Sequence, residues 1–261
     1  MSDENPVLYA VEGAVALVTL NRSEKRNALN DALVAGLKDA LRRGDADERV
    51  RVVLLTGAGA DFCSGADLSA LQKIADGSIL DNLEDARELS ELFALVRRVR
   101  VPVVAAVRGR ALAGGCGLAT ACDIVLAARS ARFGYPEVRI GFVPAMVMAI
   151  LRRNVSEKRA FELVVRGAEV GAEGAERFGL VNHVFDDEAF ETEVEAYVQS
   201  FERVSRSAVS LTKRLLYRMD GLNFGDALEA GVDVNTIARM TDDCREGVAH
   251  FLGKAGRGGG G

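Results

Sequence analysis

Short apolar runs alternate with longer amphipathic stretches along roughly the first 155 positions, and the two periods predict strands alternating with helices. Val11 to Leu20 alternates small and branched residues, with Val15, Leu17 and Thr19 in step, which predicts a strand entered from a hairpin at Glu12-Gly13. Leu29, Leu33, Leu37 and Leu41 recur every four residues and give the next segment one apolar helical stripe. Arg51 to Thr56, Val101 to Val107 and Cys122 to Ala127 are continuous apolar runs, the pattern of strands buried on both faces. Helical patterns lie between them, so the fold class is α/β with crossover connections. Residues 70–92 are more polar, interrupted by Gly77 and by Asp81 to Asp85, and predict helices joined by a mobile loop of the kind that covers a pocket.

Beyond about residue 155 the pattern is helical over 156–166, 171–178, 186–204, 205–219, 223–240 and 242–252, with one late strand at Leu180 to Val184. Asp243 with Glu246 three residues on predicts a capped start to the last helix. The glycine-rich tail from Gly253 predicts disorder.

Composition narrows the function. An apolar share of 49% with 27% charged residues is that of an ordinary soluble protein, and no apolar run approaches the about 18 residues of a membrane span. The opening residues are acidic with no apolar segment behind them, unlike a signal peptide, so the cytoplasm is the expected location. A net charge of −5 argues against a nucleic-acid surface. Cys63, Cys116, Cys122 and Cys244 form no C-x-x-C pair and stand at no zinc-ligand spacing with His183 or His250, so they read as reduced core thiols and no metal is expected. Neither histidine has a Ser or Cys partner placed for a catalytic triad.

The chemistry concentrates in Ala105 to Asp123: a buried strand, a glycine cluster at Gly114-Gly115, then small residues able to start a helix. Glycine admits close backbone approach, and a helix start points unpaired N–H groups outward, an arrangement able to hold a developing oxyanion. Gly57-Ala-Gly59 and Gly115-Cys-Gly117 both lack the third glycine of a dinucleotide fingerprint, and there is no P-loop. Phe62-Cys-Ser-Gly-Ala-Asp-Leu68, like Ala113-Gly-Gly115, follows a buried strand through a turn.

Taken together with Arg26-Asn-Ala-Leu29, Val53-Leu-Leu-Thr-Gly57, Phe133-Gly-Tyr-Pro-Glu-Val138, Gly141-Phe-Val-Pro144, Gly179-Leu-Val181 and Thr241 to Gly247, these segments run in order across nearly the whole chain. The chain resembles the crotonase superfamily, the enoyl-CoA hydratases and isomerases. That resemblance implies a spiral of ββα units over 1–200, a helical oligomerisation region over 201–255, and assembly as a homotrimer or homohexamer; residues 256–261 are then the disordered tail that the glycines predict. It implies an acyl-CoA substrate and no separate cofactor, coenzyme A being part of the substrate. The thioester carbonyl would sit between the backbone N–H groups of Ala66 and Gly114. Ala28, Ala66, Asp67, Leu68 and Gly114 would line the substrate and CoA site, with Lys25 or Arg26 toward the CoA phosphates.

Hydratases of this family use two glutamates. The second carries over to Glu137, expected as the acid/base group; the first position holds Gly117. Adding water needs both water activation and proton delivery, whereas moving a double bond needs one base that takes a proton and returns it. Hydration of a 2-enoyl-CoA and 3-to-2 double-bond isomerisation therefore both stay open. So does an acyl-CoA-binding protein with weak or no catalysis, or a subunit whose helical region chiefly builds a larger complex. The extra acid of dienoyl-CoA isomerases is replaced by Ala145, and Ala145-Met-Val-Met148 stands where the family has a glycine-rich run. Those bulkier residues are expected to fill core.

Overall fold

The computed structural model describes residues 5–258, with side chains through Leu252. Strands β1 (Val7–Glu12) and β2 (Val15–Leu20) form the expected hairpin, turned at Gly13 with a φ of +57°. The chain continues through α1 (Asp31–Ala46), β3 (Val52–Gly57), α2 (Leu68–Asp76), α3 (Ile79–Arg98), β4 (Val103–Val107), β5 (Arg110–Leu112), α4 (Gly114–Ala121), β6 (Ile124–Ala128) and β7 (Arg132–Gly134). There follow α5 (Ala145–Asn154), α6 (Glu157–Arg166), β8 (Val170–Gly171), α7 (Ala172–Phe178), β9 (His183–Phe185), α8 (Phe190–Gln199), α9 (Arg206–Arg218), α10 (Phe224–Arg239) and α11 (Asp242–Gly258).

One sheet runs β1-β2-β3-β4-β6-β9, parallel everywhere except the first hairpin, and a small second sheet runs β5-β7-β8. The continuous apolar run in β4 has a simple cause. Val103, Ala105 and Val107 face the main core, while Val104 and Ala106 face a second cluster closed by Phe190, Val194 and Val198 of α8. Both faces are dry, so neither can carry polar residues. The leucine stripe of α1 is likewise buried at Leu33, Leu37 and Leu41.

The two sheets are linked turn by turn. β4 in the large sheet is followed by β5 in the small one and then α4; β6 is followed by β7 and then α5. Isolated bridges continue the small sheet through earlier turns: Cys63 pairs with Ala111, and Leu29 pairs with Ala66. A strand, a short second strand and a helix thus recur, each unit stacked on the last. These short strands carry too few residues to show a period, and the sequence pattern does not reveal them.

Three expectations change. Over 70–92 there is no loop: α2 and α3 are separated only by Gly77 and Ser78, because Ser78 and Asp81 form a reciprocal capping box that starts α3 at once. The Asp243 carboxylate does not cap its own helix. It accepts from Ser205 Oγ at 2.6 Å and from the Ser207 amide at 3.1 Å, fastening α11 to the start of α9. Of the tail expected to be disordered, the backbone through Gly258 continues α11, and residues 259–261 lie outside the described residues.

The helical region is anchored by a buried charge. Lys213 of α9 spends its three donors on Val96 O, Val101 O and Asp123 Oδ2, at 2.9, 3.0 and 2.6 Å, and Tyr217 donates to the other Asp123 oxygen at 2.6 Å. Desolvation pushes the Lys213 pKa down against the pull of Asp123. Lys213→Met keeps the bulk but leaves two carbonyls without a donor and the Asp123 charge without its cation, although Asp123 keeps the Val103 amide and Tyr217 OH. It is expected to cost about 3 kcal/mol in urea unfolding, the size seen when one partner of a buried pair is removed.

Candidate active site

Three consecutive rungs of the small sheet deliver the groups singled out in the sequence. Ala66 lies on the first rung, Gly114 follows β5 by two residues, and Glu137 follows β7 by three. Leu112 pairs with Gly134, and the Ala113 amide donates to Gly134 O at 2.9 Å, which joins the second and third rungs.

The direction of the Ala66 amide follows from strand geometry. Leu29 bonds to its two neighbours, donating to Gly65 O at 2.7 Å and accepting from the Asp67 amide at 2.9 Å. In an extended segment successive N–H groups point opposite ways, so the Ala66 N–H faces away from Leu29. It has no acceptor among the described residues, and Ala66 is exposed. Gly114 is the first residue of α4, where an N–H has no intrahelical acceptor; the first helical bond runs from Gly117 N–H to Ala113 O.

Close packing holds the two turns together. A Cβ on Gly65 would stand 2.8 Å from Ala113 Cβ, one on Gly114 would stand 3.1 Å from Leu29 Cδ1, and one on Gly115 only 2.3 Å from Cys63 O. Ala113 adopts φ +49°, ψ −126°, a conformation that costs a non-glycine residue about 1–3 kcal/mol. That strain sits at the residue that aims the Gly114 amide.

Glu137 lies on a 3-10 turn, Pro136–Ile140. Its Oε2 is buried with no hydrogen-bond partner among the described residues. Burial raises the carboxyl pKa, and only a backbone hydrogen bond opposes it. Beneath it, Tyr135 OH lies 2.7 Å from Thr120 Oγ1, which donates to Cys116 O at 2.7 Å. Burial pushes the Cys63 thiol up to about 12 and the Cys116 thiol up to about 11, so neither forms the thiolate a nucleophile needs.

At Gly117 the space is taken. A Cβ there would meet Val147 Cγ1 of α5 at 2.2 Å and Phe93 Cζ of α3 at 3.2 Å. Val147, from the run expected to fill core, does fill it, at the position where the family resemblance puts a glutamate.

The remaining predicted residues divide. Leu68 is 83% exposed at the start of α2. Ala28 is buried, with its amide bonded to Lys25 O and its carbonyl accepting from Arg22. The Asp67 carboxylate is turned inward: Oδ2 takes Arg22 at 2.7 Å, while Oδ1 takes the Ser69 amide at 3.0 Å and Ser69 Oγ at 3.1 Å. Lys25 and Arg26 are exposed beside this segment. Arg22, Phe93 and Val147 were not legible as site residues. Their relevance depends on partners about 24 to 45 positions away, and only the periodicity of the chain is local.

The fold and the gathered groups define an α/β enzyme of the crotonase type. A family model described as enoyl-CoA hydratase/isomerase matches residues 10–257. The 2,3-dehydroadipyl-CoA hydratase of Escherichia coli is 34% identical over 92% of this chain and 92% of its own length. The 1,2-epoxyphenylacetyl-CoA isomerase of the same organism is 32% identical over 95% of each. The crystal structure of an enoyl-CoA hydratase from Mycobacterium smegmatis superposes with a TM-score of 0.91 at 34% identity, covering 96% of this chain and 97% of that one. The chain belongs to the enoyl-CoA hydratase/isomerase family. Among the described residues no helix is long and apolar enough to cross a membrane.

Proposed function

We propose that this enzyme moves a double bond within an acyl-CoA thioester, converting a 3-enoyl-CoA to the 2-enoyl isomer through one carboxylate. The observation that carries this reading is Val147 filling the space over Gly117 while Glu137 keeps a buried oxygen with no partner. Most of the similar relatives are named as hydratases and one as 1,2-epoxyphenylacetyl-CoA isomerase, so the isomerase reading rests on the site and not on kinship.

In this mechanism Glu137 takes a proton from C2. The electron pair moves onto the thioester oxygen, giving a dienolate held by the Ala66 and Gly114 N–H groups. The same carboxyl returns the proton to C4: the oxygen pair re-forms the carbonyl, the C1–C2 pair of the dienolate becomes the C2–C3 double bond, and the electrons of the former C3–C4 double bond form the new C4–H bond. Two fixed donors suit this, since removing one oxyanion donor costs about 10²–10³ in rate in other enzymes. Leu68 and Ala28 border the CoA side, and the exposed Lys25 and Arg26 supply cations for its phosphates. Apolar side chains left exposed on α10, among them Phe224, Leu228 and Val232, support burial between subunits of a homotrimer or homohexamer. The cytoplasm suits such a substrate.

A 3-enoyl-CoA carrying deuterium at C2 tests the reading. The expected product retains part of the label at C4. Hydration of a 2-enoyl-CoA faster than this isomerisation, with no internal transfer, overturns it, and tight acyl-CoA binding without turnover would instead indicate a binding protein.

The pH dependence follows from the direction of the Glu137 shift. The base works only when ionised, and burial raises its pKa, so kcat/KM falls on the acid side of a midpoint above the about 4.3 of an ordinary glutamate. A pH–rate profile with its acid limb at the ordinary value would contradict this.

A further inference from the structure

Building on the oxyanion reading, we infer that Arg22 is a positioning residue for the Ala66 amide. Its guanidinium is the group that fastens the two segments flanking that amide. One arm donates to Ala28 O at 2.6 Å, next to Leu29; the other donates to Asp67 Oδ2 at 2.7 Å, next to Ala66. Leu29 in turn bonds to Gly65 and Asp67. The bridge that sets the direction of the Ala66 N–H is thus closed at its end by a charged clamp.

Arg22 is itself held. Its amide donates to Asn27 Oδ1 at 2.9 Å, and Asn27 Nδ2 donates to Ala58 O and Asp61 O at 2.9 and 2.8 Å, on the loop that leads to Ala66. Asn27 is fully buried with a φ of +53°, so this loop is fixed from inside. The Arg22 and Asp67 side chains are only 17% and 9% exposed, which limits screening by solvent. Arg22 makes no hydrogen bond to Ala66, Gly114 or Glu137, so it acts through Ala28 and Asp67.

The choice of arginine has a physical reason. The two acceptors are met by separate nitrogens, Nη1 on Ala28 O and Nη2 on Asp67 Oδ2, whose separation the planar guanidinium fixes. Ala66 bears no side chain able to correct its own orientation. Without the clamp, the Gly65–Asp67 segment loses one of its ties to Ala28 and Leu29, and the N–H drifts from the carbonyl it should meet. A misplacement of about 1 Å in a positioned group can cost about 10²-fold.

The test uses the intact enzyme, with a 3-enoyl-CoA for the kinetics and its 2-enoyl product, carrying ¹³C at the thioester carbonyl, as the bound ligand for the spectra. Arg22→Ala is expected to lower kcat about 30- to 100-fold with KM changed by less than about threefold. In wild type the bound carbonyl stretch shifts to lower frequency; Arg22→Ala loses part of that shift, and Arg22→Lys recovers some of it. A purely structural role would change stability without moving that band. An Arg22→Ala enzyme with the wild-type band, or with its loss confined to KM, overturns the inference. If Arg22→Ala does not fold, Arg22→Lys and Asp67→Asn are read in its place, and an unchanged band in both also overturns it. A wild-type band that does not shift on binding defeats the oxyanion reading itself, a separate outcome.

Discussion

Glu137→Gln is expected to lower isomerisation by about 10³-fold while acyl-CoA affinity stays within about threefold. Glutamine keeps the shape of the side chain but cannot take a proton from C2. Because the proposed mechanism has the carboxylate act on C2 and C4 and not on the CoA moiety, the loss is expected in kcat. The same change is expected to raise stability at neutral pH. In the folded protein the Glu137 pKa is raised, so the folded state holds its proton more tightly than the unfolded chain does. Stability therefore declines as pH rises from the unfolded pKa through the folded one, and the ionised group is a net cost above both. Removing that charge should raise Tm at pH 7. Below the unfolded pKa the two proteins should melt together. Equal melting at pH 7 would show that the carboxylate is not desolvated, and undiminished turnover would remove it from the mechanism.

Gly117→Ala is expected to destabilise the protein by about 2 kcal/mol, although alanine is the better helix former. The propensity gain is about 1 kcal/mol, whereas overpacking a tight core costs about 1–3 kcal/mol. Here the added carbon lands 2.2 Å from Val147 Cγ1. Valine in a helix has one strongly preferred rotamer, so the side chain cannot swing aside and α5 must shift instead. Val147→Ala in the same chain should recover more than 1 kcal/mol, a coupling that a double-mutant cycle in urea measures directly. Additive losses would show that the two residues do not share the space. The pair also bears on chemistry, because a side chain at 117 can enter the site only where Val147 yields.

Much of the architecture was legible because its causes are local. A leucine every fourth position in α1 and unbroken apolar runs in β3, β4 and β6 report burial on one face or on two, and each needs only a short window of neighbours. The small sheet was not legible, since β5, β7 and β8 have two or three residues each and bridges at single residues have no pattern at all. The continuity of α2 and α3 also has a local cause, the capping box of Ser78 with Asp81 three residues on.

The candidate site divides along the same line. By itself the sequence determined that a glycine-rich turn opens a helix at Gly114, that a carboxylate stands at 137, and that none stands at 117, because residue identity and backbone freedom are properties of single positions. Only the tertiary structure decided that Val147 occupies the space over Gly117, that Glu137 Oε2 is left without a partner, and that Asp67 turns inward to Arg22. Desolvation and pairing depend on what arrives from distant parts of the chain, and no local period records that.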